Sequence, residues 1–243
     1  MLIVKWAPIA ETAWDPSFDP VLAEHIGAYR NPKVRRASLS AWALLYWILA
    51  ENGLFGSGRL PKSDVLPGKY GPSESCELLE SGSRQELSVA FEANGKPFFV
   101  GNPVYFSISH SHGVCAAAVA DRPVGVDVER IRDSYNPRLV ERSLTDAEKK
   151  AYEGDFTRIW SRKEAVGKMT GKGITGYPNG IETGAYSFRE ERIEADGEAY
   201  WVVACCEGQF SCDEGQNSFG EGQFSCGEER NSCDAKTLNS QEG

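Results

Sequence analysis

Val124-Gly125-Val126-Asp127-Val128-Glu129 decides how the rest of the chain is read. Valines alternate with a glycine and two acids, so a strand over 124–129 would turn Val126 and Val128 to one face and Asp127 and Glu129 to the other. Two carboxylates about 4 Å apart repel by roughly 4 kcal/mol at an effective dielectric near 20. A strand that aims both at one spot calls for a cation, and all-oxygen donors favour magnesium over zinc. Taken alone, the pattern also fits two solvated acids on an edge strand.

Upstream, 114–120 (VCAAAVA) predicts a tightly packed central strand, and 104–109 (VYFSIS) and 87–92 (LSVAFE) predict two more. Ser107, Ser109, His110 and Ser111 bring hydroxyls and an imidazole to a strand end, groups able to bind phosphate oxygens. Gly95-Lys96-Pro97 reads as a turn with one cation, and residues 2–6 (LIVKW) as a strand. Over 34–52, Leu39, Trp42, Leu45, Tyr46 and Leu49 recur at helical spacing, with Lys33, Arg35 and Arg36 at the start of the helix. Residues 53–86 are rich in Gly, Ser and Pro and predict an irregular connection.

Downstream, Thr145-Asp146-Ala147-Glu148 has capping-box spacing. A second helix is predicted from Asp155 to Met169, with Trp160, Glu164 and Lys168 on one face. By itself the Glu164–Lys168 pair also fits a surface salt bridge. Strands are expected near 185–190 and 199–206. Gly167 to Gly173 (GKMTGKG) looks like a phosphate loop but has three residues, not four, between its first two glycines, so a nucleoside-triphosphatase reading fails.

Of the chain's net charge of −9, residues 207–243 carry −6 through eight acids and two bases. This segment repeats EGQFSC at 207 and 221 and predicts disorder, since it has little apolar surface. The acidic balance argues against nucleic acid as a partner. No apolar run is long enough to span a membrane, and no start resembles a signal peptide, so the expected compartment is the cytoplasm. The seven cysteines are expected to be free thiols, and the tail cysteines fit no common zinc spacing.

In combination, Gly-Lys-Pro at 95, Ser-Ile-Ser-His-Ser at 107, Gly-Val-Asp-Val-Glu at 125 and Trp-Ser-Arg-Lys-Glu at 160, with Lys168 and Gly-Lys-Gly after it, resemble the 4′-phosphopantetheinyl transferase superfamily of the longer, surfactin-synthetase-activating type. The resemblance implies an α+β fold of two similar halves, about 1–121 and 122–206, related by a pseudo-two-fold axis, with the site in the cleft between them and 207–243 as a tail. It implies transfer of the phosphopantetheine arm of coenzyme A to a serine of an apo acyl or peptidyl carrier protein, for which a monomer suffices if the two halves form a complete site. Asp127, Glu129 and Glu164 match the magnesium carboxylates, with Glu164 as general base and Lys168 at the pyrophosphate. Lys96, Pro97, Ser109 and His110 match coenzyme contacts. Arg36 or Lys33 matches a basic contact to the 3′-phosphate, Lys163 is expected to meet the leaving phosphates or the first half, and Glu148 falls where relatives have an acid. The competing reading is a degenerate module that binds coenzyme A or a carrier without transfer.

Overall fold

A computed structural model describes residues 1–11, 14–54, 87–101, 104–174 and 178–208. All but the first two residues of the expected irregular connection (53–86) and nearly all of the acidic tail lie outside the described residues. Helices and strands are mixed, as an α+β fold requires.

The first strand, β1 (Leu2–Pro8), is followed by α1 (Pro20–Gly27) and α2 (Pro32–Glu51). Asp19 caps α1 through the amides of Val21 and Leu22, with Pro20 in the first turn, where a missing N–H costs nothing. Its other carboxylate oxygen accepts from the Val89 amide, tying α1 to the short hairpin β2 (Val89–Phe91) and β3 (Pro97–Phe99). β4 (Tyr105–Ser111) and β5 (Val114–Ala120) complete a three-stranded antiparallel sheet in the order β1-β5-β4.

β6 (Val124–Arg130) opens the second sheet. After it come α3 (Pro137–Ser143), α4 (Asp146–Lys150) and α5 (Phe156–Thr170), then β7 (Ser187–Ala195) and β8 (Glu198–Cys206). The second sheet runs β6-β8-β7, the same connection order as the first, with the last strand inserted between the other two.

Alternation along the central strands stacks four layers. Cys115, Ala117 and Val119 face α2, while Val114, Ala116, Ala118 and Ala120 face the other sheet. On β8, Tyr200, Val202, Ala204 and Cys206 meet the first sheet, and Val203 and Cys205 meet Ala165, Val166 and Met169 of α5. A strand buried on both faces needs small residues, so all seven positions of β5 are buried with four alanines among them. The order from outside to outside is α2, sheet, sheet, α5, which leaves the edges of β4 and β6 side by side.

Candidate active site

β6 has a sheet neighbour on one side only, so the amides of Val126, Val128 and Arg130 on its other edge need partners. Three alternate serines of β4 supply them: the hydroxyls of Ser107, Ser109 and Ser111 accept from those amides at 3.0, 3.3 and 3.4 Å. Two of these hydroxyls also donate to the acids of β6, Ser109 to Asp127 Oδ1 and Ser111 to Glu129 Oε2, each at 3.0 Å. The alternation that sends these serines toward β6 sends Phe106 into the α2 core, with Ile108 packed against it.

α5 approaches β6 from the other side. A Cβ on Gly125 would lie 1.9 Å from the Ala165 carbonyl oxygen, so only glycine permits backbone-to-backbone contact here. The contact brings Lys168 Nζ to 2.8 Å from Asp127 Oδ1 and 2.7 Å from Ser109 Oγ. Glu164, one turn earlier, is part-buried. Its carboxyl is pushed above its ordinary value by burial, then by the Asp127 charge, with Glu129 adding and Lys168 opposing. Glu129 Oε1 also meets Arg132 at 3.2 Å.

Asp127, Lys168 and Ser109 are thus in direct contact, and Glu164 lies close enough to feel the charges of Asp127, Glu129 and Lys168. His110 stands nearby on the opposite face of β4. Burial, then the Lys168 charge, holds its imidazole below the ordinary value and favours the neutral ring.

The remaining coenzyme candidates are placed differently. Lys96 Nζ sits 2.6 Å from the Met169 carbonyl, and Asn94 Nδ2 donates to the Gly171 carbonyl at 2.7 Å. The β2–β3 turn thus caps the negative end of α5, and Pro97 opens β3. GKMTGKG is the last turn of this helix and its cap, with Gly171 at φ 70. Arg36 lies exposed near the start of α2, and among the described residues no hydrogen bond or ion pair joins its side chain to the site's carboxylates. Lys163 is displaced furthest from expectation. It is wholly buried, 2.8 Å from Glu148 Oε2 and 2.8 Å from the Ile181 carbonyl, so it cannot face the cleft. Pointing about 100° around the helix from Glu164 takes it inward rather than toward phosphate. Glu148 forms the predicted capping box with Thr145 and also accepts from Thr183. Burial alone would raise its carboxyl, but the hydrogen bonds from Lys163 and Thr183 outweigh that and hold it below the ordinary value. Trp160 anchors through the Phe156 ring, at 5.8 Å between centroids.

The donor set fits a hard divalent cation. Asp127 Oδ2 is buried without a hydrogen-bond partner, and three mutually repelling carboxylates supply only oxygen. Among the described residues no three acidic, histidine or cysteine side chains already stand in a metal's coordination geometry. Here the Lys168 ammonium is the positive charge at Asp127.

Residues 123–211 match the model of the 4′-phosphopantetheinyl transferase superfamily. The 4′-phosphopantetheinyl transferase AcpT of Salmonella typhi is 36% identical over 140 residues, covering 51% of this chain and 73% of that protein. The 4′-phosphopantetheinyl transferase psf-1 of Bacillus pumilus is 36% identical over 124 residues, 47% of this chain and 49% of its own length. The transferase HetI of Nostoc sp. is 35% identical over 137 residues, 49% of this chain and 52% of its own length. The matched part thus spans about half of two of these relatives and nearly three quarters of the third. The chain belongs to the 4′-phosphopantetheinyl transferase superfamily.

Proposed function

We propose that the chain transfers the 4′-phosphopantetheine group of coenzyme A to a serine of an apo carrier protein. The observation that carries this reading is the orphaned oxygen of Asp127, buried opposite Glu164 and Lys168 at the junction of the two sheets. The superfamily membership and the names of the relatives support it.

Asp127, Glu129 and Glu164 would hold magnesium, which when bound supplies a Lewis acid and a template for the pyrophosphate. Glu164 is suited to take the proton of the carrier serine. Burial and its acidic neighbours raise its proton affinity, and no hydrogen bond claims its carboxylate in the described structure. The serine oxygen bonds to the β-phosphorus as the bond to the bridging oxygen breaks, and 3′,5′-ADP leaves. Lys168 neutralises the departing phosphates, moving from Asp127 to substrate. His110, Lys96 and Pro97 would line the nucleotide side, Lys96 leaving the Met169 carbonyl to do so, with Arg36 or Lys33 reaching the 3′-phosphate. Lys163 has no part in binding on this reading. The halves 1–121 and 122–206 are taken as pseudo-two-fold mates, since their sheets share one connection order. Because one chain contributes every group, a monomer suffices, and a cytoplasmic setting suits free coenzyme A.

The test is mass spectrometry of an apo acyl or peptidyl carrier protein after incubation with the chain, coenzyme A and magnesium. Addition of one phosphopantetheine, abolished by EDTA, is expected. Coenzyme A binding without addition to any carrier tried would replace transfer by a binding role.

A further inference from the structure

We propose that Ser109 and Ser111 are positioning residues that set the carboxylates of Asp127 and Glu129 for a divalent cation, an inference that rests on the reading above. The resemblance had assigned Ser109 to the coenzyme instead.

A hydroxyl has one proton to donate and two lone pairs with which to accept. Ser109 uses all three: it donates to Asp127 Oδ1 and accepts from the Val128 amide and from Lys168 Nζ. It is 7% exposed, so no water competes for these positions, and no capacity remains for a phosphate oxygen. Ser111 repeats the arrangement two residues on, donating to Glu129 Oε2 and accepting from the Arg130 amide, with His112 Nδ1 also 3.0 Å from its oxygen and placed to donate to it in the Nδ1-protonated tautomer. In both cases a backbone amide of β6 fixes the hydroxyl and the hydroxyl fixes an acid of the same strand. The carboxylate is therefore referenced to its own main chain through a residue of the other sheet. With Oδ1 held by Ser109, Asp127 turns its unpartnered Oδ2 elsewhere, which is the oxygen left for a metal.

Ser107 provides an internal control. It accepts from the Val126 amide at 3.0 Å as its two neighbours do, but no acid stands on β6 for it to orient. A loosened strand edge and a misaimed carboxylate can therefore be told apart.

The experiment uses the full chain and its Ser107→Ala, Ser109→Ala and Ser111→Ala variants. Each is titrated with Mn²⁺ in the presence of saturating coenzyme A, with bound metal read by electron paramagnetic resonance against a coenzyme A blank. Partners that orient metal ligands typically change affinity by about 10–100-fold. A loss of about 10-fold or more is expected for Ser109→Ala and Ser111→Ala, and less than about twofold for Ser107→Ala. In Ser111→Ala, the magnesium concentration for half-maximal transfer should rise while KM for coenzyme A stays within about twofold. Should Ser109→Ala fail to fold, Ser111→Ala at the outer end of the row gives the same reading. Unchanged Mn²⁺ affinity in Ser111→Ala, or an equal loss in Ser107→Ala, overturns the inference while leaving the proposed function intact. A wild-type chain that takes up no Mn²⁺ and transfers nothing overturns both.

Discussion

The two sheets are wired alike, yet the helices laid on their outer faces are opposites. On the first, every residue of α2 from Ala37 to Leu49 is buried, with the Trp42 ring against Phe106 of β4 and the Tyr46 ring among Trp14, Phe18 and Phe99. On the second, α5 carries Arg158, Arg162, Lys163, Glu164 and Lys168 within 11 consecutive residues. Arg158 and Arg162 both donate to Glu190 of β7, Lys163 goes inward to Glu148, and Lys168 reaches Asp127. One helix is held by apolar area throughout, and the other by a small apolar face around Ala165, Val166 and Met169 together with paired charges. The difference teaches that a shared topology leaves the choice of adhesive open, and that here the candidate site lies against the charged helix.

The sharpest way to test that division is Glu164→Gln. Loss of a positioned base should lower transfer by roughly 10²–10⁴-fold, read as the rate of holo-carrier formation. Because the folded Glu164 carboxyl is raised by burial and then by Asp127, stability falls as pH rises above the ordinary value of 4.5, and the loss is complete once the folded value is passed. The metal-free variant should therefore denature at a higher urea concentration than wild type at neutral pH. A lower midpoint would mean that Glu164 holds the fold rather than the chemistry.

A matched pair comes next. Trp42→Ala in α2 should cost about 3–5 kcal/mol through an unfilled core. Lys163→Met in α5 should cost a similar 3–5 kcal/mol, because Glu148 is left charged and unpaired. Denaturant unfolding gives both numbers. Replacing Lys163 and Glu148 together by apolar residues should recover much of the second loss but has no counterpart for the first.

Gly125→Ala tests the joint between the halves of the site. The added methyl must displace α5, at a cost of about 1–3 kcal/mol. Coenzyme transfer should fall further than stability alone explains, measured at a temperature where the variant is fully folded.

The smallest effect is the acid limb of stability. Burial would raise the Glu190 carboxyl, but the hydrogen bonds from Arg162, then Arg158, hold it below its ordinary value of 4.5. The unfolded chain takes up that proton first as pH falls. The contribution is thus complete above about pH 4.5 and is lost as pH drops through the folded value. Glu190→Gln should flatten the fall in urea midpoint between neutral and acid pH, whereas a substitution in α2 should leave the slope as it is.

Regular periodicity made much of this legible from sequence. The strands at β1, β5 and β6 and the helices α2 and α5 follow from alternation or helical spacing, and the Thr145 capping box does start a helix, though one of only five residues. That Asp127 and Glu129 share one face of β6 also followed from alternation. Short elements escaped: α1 has only Leu22 and Ile26 buried, too few positions to declare a period, although Asp19-Pro20 is a start signal. α3 was missed in the same way despite Asn136-Pro137. Non-local partners were out of reach. Nothing near Lys163 announces that Glu148 will bury it, and nothing near Lys96 places it on the end of α5. The serine row did carry a signal, three hydroxyls at every second position opposite Phe106 and Ile108. Its meaning needed a second strand with an unpaired edge.

The bare contact at Gly125 also governs how precisely the site is built. Where two elements are spaced by interlocking side chains, each rotamer adds its own play to the gap, and each core substitution resets it. Between Gly125 and Ala165 the spacer is main chain against main chain, whose thickness no mutation elsewhere can alter. The distance from Asp127 to the helix that bears Glu164 and Lys168 is thus a fixed gauge. The surrounding cores are free to drift in sequence without detuning it, and position 125 is left with no gradual route to any other residue.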